Sequence, residues 1–213
     1  MIEEKLEEIA AHARAFYRHG WLYGTSGNFS VRDAVGRPEA EEPEGFWMTV
    51  TGRHKADLGP ADFIHCRADG RPVDPSAGDS SSDMPIHRLL YREDEAIGAV
   101  YHAHHIEATV CSQRDWGTGF TSFSEIEMLK GFGLPDPSVT VEVPILGNEP
   151  TAEAQAEAIA QFRDSDRFDG RVPGVNVRRH GLYVWGRDPF QARRHLETLA
   201  YLFEYDRAGG FDH

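Results

Sequence analysis

The sequence predicts an α/β domain in which a mainly antiparallel central sheet is flanked by helices. Its strand-like segments are short, and several are joined by hairpin-like turns. Strands and helices do not alternate strictly, as they would in a doubly wound parallel sheet. The 21 glycines and 12 prolines are spread along the 213 residues, without a linker, repeat or low-complexity tract. We therefore expect a single domain over residues 1–213.

Amphipathic segments predict five helices. Residues 2–19 place apolar side chains at spacings of three and four and end at Gly20. A second helix is predicted in DMPIHRLLYRED, with Ser82 or Asp83 available as its N-cap. The C-terminal segment DPFQARRHLETLAYLFEYD has Asp188 as N-cap and Pro189 at the first helical position. The segments IEATVCSQ and TAEAQAEAIAQFRD complete the set.

Strands are predicted where β-branched and aromatic residues lie between turn residues. The segment GTSGNFSVRD is typical of a glycine and serine turn that enters a short strand. Further strands are predicted in residues 46–52, in DFIHC with RADGRPV around a turn at Asp69 and Gly70, in AIGAVYHAHH, in residues 138–144 and in the pair within GVNVRRHGLYVWG.

The charge balance excludes two classes of partner. The 22 lysines and arginines against 35 aspartates and glutamates leave a net charge of −13, which repels nucleic acid and anionic lipid. No apolar run approaches the ~18 residues that span a bilayer, and the N-terminus is acidic rather than signal-like. We expect a cytoplasmic protein. Cys66 and Cys111 lie in no CxxC pattern, so both are predicted to be reduced packing residues.

Three histidines cluster at the end of the AIGAV strand, at positions 102, 104 and 105. On a strand, His102 and His104 project to the same side with Cα atoms roughly 7 Å apart, so their imidazoles can converge on one cation. His180 is the preferred third ligand because a glycine interrupts its β-rich segment, and His87 is the competitor. The alternative is a pair of hydrogen-bonded histidines without a metal. His105 falls on the opposite face and is expected to be structural or to support a metal ligand without binding the metal itself.

Three polar turns combine small side chains with flexible backbone, which suits a phosphate group. They are Gly27-Asn28, Thr51-Gly52 and Ser80-Ser81-Ser82. The serines precede a predicted helix start, where free N–H groups favour an anion. Ordinary turn and cap chemistry is the alternative for each turn taken alone.

Two carboxylates are candidates for proton transfer. Asp83 follows the serines, although it could serve only as a helix cap. Glu127 lies between the aromatic stretch GFTSFSE and the apolar Met128 and Leu129, which predicts partial burial.

These motifs, in this order, resemble the class II aldolase and adducin-like family over nearly the whole chain. The matching segments are GTSGNFSVR, TGRHKADL, SSDMPIHRLLYR, VYHAH, EIEMLKG, VPILGN and RHGLYVWG. Within the family, EMLKG and NVRRHGLYVWG are more similar to the methylthioribulose-1-phosphate dehydratases of methionine salvage than to the sugar-phosphate aldolases.

The resemblance implies a central antiparallel sheet with helices on both sides and a homotetramer with active sites near subunit contacts. It implies one zinc ion per subunit, bound by His102, His104 and His180. It also implies a small phosphorylated sugar as substrate. The implied substrate-binding residues are Gly27, Asn28, Thr51, Gly52, Ser81, Ser82 and Asp83.

Two departures from the family pattern affect the implied reaction. The usual His-Thr-His-Ser is His-Ala-His-His here, which removes two hydroxyls near the metal. The usual Ser-Ser-Glu ends in Asp83, and the aldolases use that glutamate as acid and base. The shorter side chain favours Glu127 as the catalytic residue and a dehydratase as the activity. A sugar-phosphate aldolase and a non-catalytic adducin-like scaffold are the alternatives.

Overall fold

Eight strands form one sheet in the order β3-β2-β1-β4-β8-β7-β6-β5. The computed structural model describes residues 2–33 and 45–209. Every neighbouring pair of strands is antiparallel except β6 and β7, which are parallel. The strands are β1 Asn28–Arg32, β2 Phe46–Thr49, β3 Phe63–Cys66, β4 Ala99–Ala103, β5 Phe120–Phe123, β6 Val141–Leu146, β7 Gly174–Val177 and β8 Gly181–Gly186.

Among the described residues, five α-helices cover the two faces of this sheet. They are α1 Ile2–Arg18, α2 Met84–Glu93, α3 Ile106–Arg114, α4 Ala152–Arg163 and α5 Pro189–Arg207. The side chain of Asp188 accepts a hydrogen bond from Gln191 N and caps α5, and Pro189 occupies the first turn. The predicted architecture, a mainly antiparallel sheet flanked by helices, is confirmed.

Side-chain alternation along the central strands divides the core into two layers. In β4, Tyr101 packs with α1 and α5, whereas Val100 packs with α2 and α4. The same alternation in β8 sends Val184 to the first layer and Trp185 to the second. His102 has the parity of Val100, so its side chain lies on the α2 and α4 side of the sheet.

Two elements differ from the sequence prediction. β5 was not predicted, although its residues alternate between exposed and less exposed positions. Residues Glu127–Phe132 form a 3-10 helix. Both cysteines are free and buried, as predicted. In the described part of the chain, no helix has the length and apolar character of a membrane span.

Candidate metal centre and anion pocket

The candidate metal centre lies where β4 and β8 meet. In the ladder, His102 of β4 is opposite Tyr183 of β8 on one side and Asn28 of β1 on the other. His104 follows β4 directly, and His180 lies in the tight turn that leads into β8. The local β structure therefore brings His180 to His102 and His104, which lie far from it in the sequence.

The three rings form a compact triangle. Their centroids are 4.8, 4.9 and 4.9 Å apart, and one nitrogen from each lies within 4.8 Å of the others. This is the group His102, His104 and His180 that the sequence predicts, and its geometry could hold a metal ion. His87, the competing third ligand, is hydrogen-bonded to Asn28 and Ser30 instead.

Hydrogen bonding sets the tautomer of His102. Its Nδ1–H donates to the carbonyl oxygen of Leu182 at 2.9 Å, which leaves the Nε2 lone pair free. That Nε2 is 2.9 Å from His104 Nε2, and the Nδ1 of His180 is buried without a hydrogen-bond partner among the described residues. Three neutral imidazoles whose nitrogens lie this close together suit a divalent cation such as zinc, so the donor set fits a metal.

Burial keeps these histidines neutral. It lowers the pKa of His102 well below its usual value, and the pKa of His180 is lowered for the same reason. Burial and the nearby His180 bring the pKa of His104 to about 4. Because a metal binds the neutral imidazole, the three side chains are in the form that coordination requires.

Asp83 is the carboxylate beside this cluster. Its Oδ2 lies 3.7 Å from His102 Nε2 and accepts a hydrogen bond of 2.7 Å from Asn28 Nδ2. Asp83 has the N-cap position of α2, but its side chain makes no capping hydrogen bond. The suggestion that Asp83 only caps the helix is therefore wrong, and its carboxylate is turned to the histidines.

The three predicted polar turns converge on the same end of the sheet. Asn28 is bonded to Asp83, which follows the serines. Thr51 N donates to Asp79 O, and Val50 forms a β-bridge with Ser80. Gly27 fits this arrangement because a Cβ atom there would lie 2.8 Å from the backbone oxygen of His102.

Lys55 links two of these turns, and sequence reasoning did not single it out. The side chain is 2% exposed, and its Nζ donates to Thr25 O at 2.9 Å and to Arg53 O at 2.8 Å. Burial lowers the pKa of Lys55 to about 8. The TGRHKADL motif contains this lysine, but only the fold shows that it is buried between the turns.

A cavity of about 240 Å³ opens beside the cluster. Its polar lining includes Ser82, Asp83, Asn148, His180 and Tyr183. The Tyr183 ring is stacked on His102 with centroids 3.9 Å apart, so this contact restricts the orientation of the imidazole. The cavity therefore places polar groups next to the three histidines.

Glu127 is not placed as the sequence predicts. Its side chain is 71% exposed and forms an ion pair with Lys130, so the expected partial burial is wrong. The neighbouring Leu129 is fully buried, and the 3-10 turn directs the two side chains differently. Glu127 is not among the residues that line the cavity.

His105 has the structural role expected from its position. Its Nδ1 accepts from Ala108 N at the start of α3, and its Nε2 donates to Glu204 of α5 at 3.1 Å. This histidine therefore joins two helices and takes no part in the cluster.

Residues 7–206 match the class II aldolase and adducin N-terminal domain. The chain belongs to this family. A methylthioribulose-1-phosphate dehydratase from Bradyrhizobium sp. (strain BTAi1 / ATCC BAA-1182) is 34% identical over 93% of this chain and 88% of its own length. A protein of the same name from Persephonella marina is 30% identical over 90% of this chain and 83% of its own length.

Solved structures of class II aldolase type share this fold. L-fuculose-1-phosphate aldolase from Thermus thermophilus superimposes with a TM-score of 0.70 at 22% identity, and the match covers both chains completely. YgbL from Escherichia coli gives a TM-score of 0.74 at 22% identity over 98% of this chain and 91% of that chain. At this identity the likeness concerns the fold alone.

Proposed function

We propose that this family member is a zinc-dependent lyase that converts 5-methylthioribulose 1-phosphate to 2,3-diketo-5-methylthiopentyl 1-phosphate, a step of methionine salvage. The observation that carries the proposal is the convergence of His102, His104 and His180 beside an anion pocket. The names of the similar proteins support dehydration as the reaction. In this reaction a proton leaves C3, the C4 hydroxyl leaves as water, and the resulting enol tautomerises to the diketone.

The polar turns would hold the substrate phosphate. Asn28, Thr51, Ser81 and Ser82 carry N–H and O–H groups that would bind the phosphate, and of these four residues Ser82 lines the cavity. Buried Lys55 would contribute positive charge beside two of the turns. Binding at the phosphate is remote from the reacting carbons, so it orients C3 and C4 toward the histidines.

Zinc held by His102, His104 and His180 would supply Lewis-acid stabilisation for the negative charge that develops on substrate oxygens. Glu127 remains our proposed acid and base for the proton transfers. Because its side chain is exposed, we propose that a homotetramer forms and that Glu127 of one copy reaches the site of a neighbour. Asp83 would then orient the His102 ring, and not transfer protons, on the side of the pocket where the metal binds.

A sugar-phosphate aldolase is the second candidate, and the placement of Asp83 beside His102 favours it. A carboxylate at that position could accept the proton of the C4 hydroxyl while the bond between C3 and C4 breaks. The same substrate would then break between C3 and C4 to give dihydroxyacetone phosphate and methylthioacetaldehyde.

Product analysis tests the proposal directly. The zinc-loaded protein is incubated with 5-methylthioribulose 1-phosphate, and products are followed by NMR and by the ultraviolet absorbance of the diketone. Formation of the diketone supports the dehydratase, whereas formation of the two cleavage fragments supports the aldolase. Failure to turn over this substrate, or other ketose phosphates, with zinc bound would contradict both enzymatic functions.

A further inference from the structure

A chain of buried hydrogen bonds leads from Asp83 into the interior of the protein. Asn28 Nδ2 is 2.7 Å from Asp83 Oδ2, and Asn28 Oδ1 is 2.6 Å from His87 Nε2. On the other side of the ring, His87 Nδ1 is 2.7 Å from Ser30 Oγ, which is 2.7 Å from the Tyr91 hydroxyl. These bonds connect β1 with α2 beneath the candidate metal centre.

The chemistry of the groups sets the direction of every bond. An ionised Asp83 only accepts, so the Asn28 amide must turn its N–H to the carboxylate and its oxygen to His87. His87 Nε2 must therefore carry the proton that Asn28 Oδ1 accepts. A neutral imidazole then has a lone pair on Nδ1, so Ser30 donates to it and in turn accepts from Tyr91.

The surroundings of His87 agree with a neutral ring. The side chain is completely buried, and this burial lowers the pKa of His87 to about 4. With the single proton of the neutral ring on Nε2, Nδ1 is left to accept the hydrogen bond from Ser30.

We propose that His87 is a positioning residue whose Nε2–H tautomer fixes the Asn28 amide and thereby holds the Asp83 carboxylate beside His102. The inference rests on the proposed function only in treating the histidine cluster as a metal centre. If the Asn28 amide turned over, its N–H would face the His87 N–H and its oxygen would face the carboxylate. Both contacts are repulsive, so the amide has one orientation as long as His87 keeps this tautomer.

A purely structural histidine would behave differently from a positioning one. If His87 were only structural, replacing it would lower the stability of the protein, and any effect on zinc affinity would be the same with or without Asp83. A positioning residue acts through Asp83, so the two effects should not add. His195 is a suitable control because it is also buried and donates from Nδ1 to Trp185 O, at 2.7 Å, away from the cluster.

The experiment compares His87→Leu, His87→Gln and His195→Leu in the full-length protein. Zinc affinity is measured by competition with a chelator, and kcat and KM are measured for the substrate that the protein turns over. We expect His87→Leu to lose about 10-fold or more in zinc affinity or kcat, the range typical of groups that orient a metal site from outside its ligands. The Gln side chain can donate an N–H at the Nε2 position, so His87→Gln should recover most of the loss. His195→Leu should lower Tm with little change in zinc affinity.

A double-mutant cycle identifies the route of the effect. In an Asp83→Ala background, we expect His87→Leu to cost less than about 3-fold in zinc affinity. Ser30→Ala, which removes the donor to Nδ1, provides a second test if His87→Leu does not fold. Nitrogen NMR should show the proton of His87 on Nε2 in the wild-type protein and, because Asn28 Oδ1 remains its acceptor, in Ser30→Ala as well.

Three results would overturn the inference: a proton on Nδ1 of wild-type His87, additive effects of His87→Leu and Asp83→Ala, or failure of His87→Gln to recover zinc affinity. The NMR and zinc measurements do not require turnover. They therefore test the role of His87 even if neither proposed reaction is observed, which separates this inference from the proposed function.

Discussion

The surroundings of His102 leave one of its two ring nitrogens available to bind a metal. The carbonyl of Leu182 occupies Nδ1, the Tyr183 ring packs against one face, and Nε2 is left for the cluster. Each constraint comes from the β4 and β8 pairing, so the fold itself selects the tautomer. A rigidly held first ligand reduces the conformational entropy that metal binding must overcome.

His104→Ala should remove most bound zinc and leave the fold intact. The cluster has three ligand nitrogens, and a site of this kind loses much of its affinity when one is removed. The measurement is metal content by mass spectrometry, with the thermal transition of the metal-free protein as the check on folding. His54→Ala, at a half-exposed histidine outside the cluster, should keep its zinc. Full zinc occupancy in His104→Ala would contradict the ligand assignment.

The sequence was sufficient to predict the histidine pair but not the surroundings of the carboxylates. A strand fixes the side-chain period at two, so His102 and His104 had to share a face. The exposure of Glu127 depends on how a 3-10 turn packs on α5, and no local pattern specifies that packing. The direction of the Asp83 side chain was ambiguous for the same reason, because capping and tertiary bonding require the same residue type.

At the scale of elements, the start of α2 serves the pocket more than the helix. Asp83 makes no cap, and Ser81 Oγ accepts only a long bond of 3.3 Å from Asp83 N. Ser82 is exposed and lines the cavity. Hydroxyl groups at this point are thus free to bind an anion in front of the helix N-terminus.

Ser82→Ala should raise KM for the phosphorylated substrate by roughly tenfold or more with zinc content unchanged, because a hydrogen bond to a charged group contributes about 1.5 to 3 kcal/mol. The measurement is steady-state kinetics together with metal analysis. Ser76→Ala is the matched control, since Ser76 lies in the same loop and is bonded to Asp74 instead. An unchanged KM in Ser82→Ala would show that this serine does not hold the phosphate.

The β4 and β8 pairing depends on a glycine next to the third ligand. A Cβ atom at Gly181 would lie 2.2 Å from Ala103 O and 3.1 Å from His104 Cα, so a side chain there must separate the two strands. The sequence pattern predicted β4 and β8, and Gly181 was recognised as an interruption of the β-rich segment that contains β7 and β8. The reason for that glycine, a close backbone approach, is visible only once the strands are paired.

Gly181→Ala should lower the free energy of unfolding by about 1 to 3 kcal/mol, the usual range for overpacking, and should weaken zinc binding as His104 and His180 move apart. Urea unfolding and chelator competition measure the two effects. Gly117→Ala is the control because a Cβ at Gly117 meets no atom within 4 Å. Unaltered zinc affinity in Gly181→Ala would indicate that the histidine cluster tolerates displacement of the strands.

For the whole molecule, long-range pairing is where sequence patterns were least informative. The parallel contact of β6 with β7 and the position of β5 at the sheet edge depend on connections that span α4 and α3. Local periodicity contains no information about such pairing. Large exposed side chains on α3 and α5, among them Ile106, Val110, Tyr201 and Tyr205, offer apolar area for contact with another copy.

If Glu127 acts in a neighbouring copy, two inactive variants should restore activity together. Glu127→Gln keeps the histidine cluster but should lose about 10² to 10⁴ in turnover, as is typical when a general acid or base is removed. His104→Ala keeps Glu127 but lacks a ligand. In mixed oligomers, some sites would combine an intact cluster from one chain with Glu127 from the other. Activity should return to roughly a quarter of the wild-type value for random assembly and to at most about half of it if the two chains alternate.

The experiment co-expresses the two variants with different tags and isolates the mixed oligomer. A mixture of His102→Ala and His104→Ala is the control, because every site would then contain a damaged cluster, and it should remain inactive. Persistent inactivity of the Glu127→Gln and His104→Ala mixture, despite proven mixed assembly, would place the whole site in one chain. If instead Glu127→Gln alone keeps nearly full turnover and Asp83→Asn abolishes it, Asp83, the carboxylate already beside His102, is the acid and base, and cleavage between C3 and C4 becomes the favoured reaction.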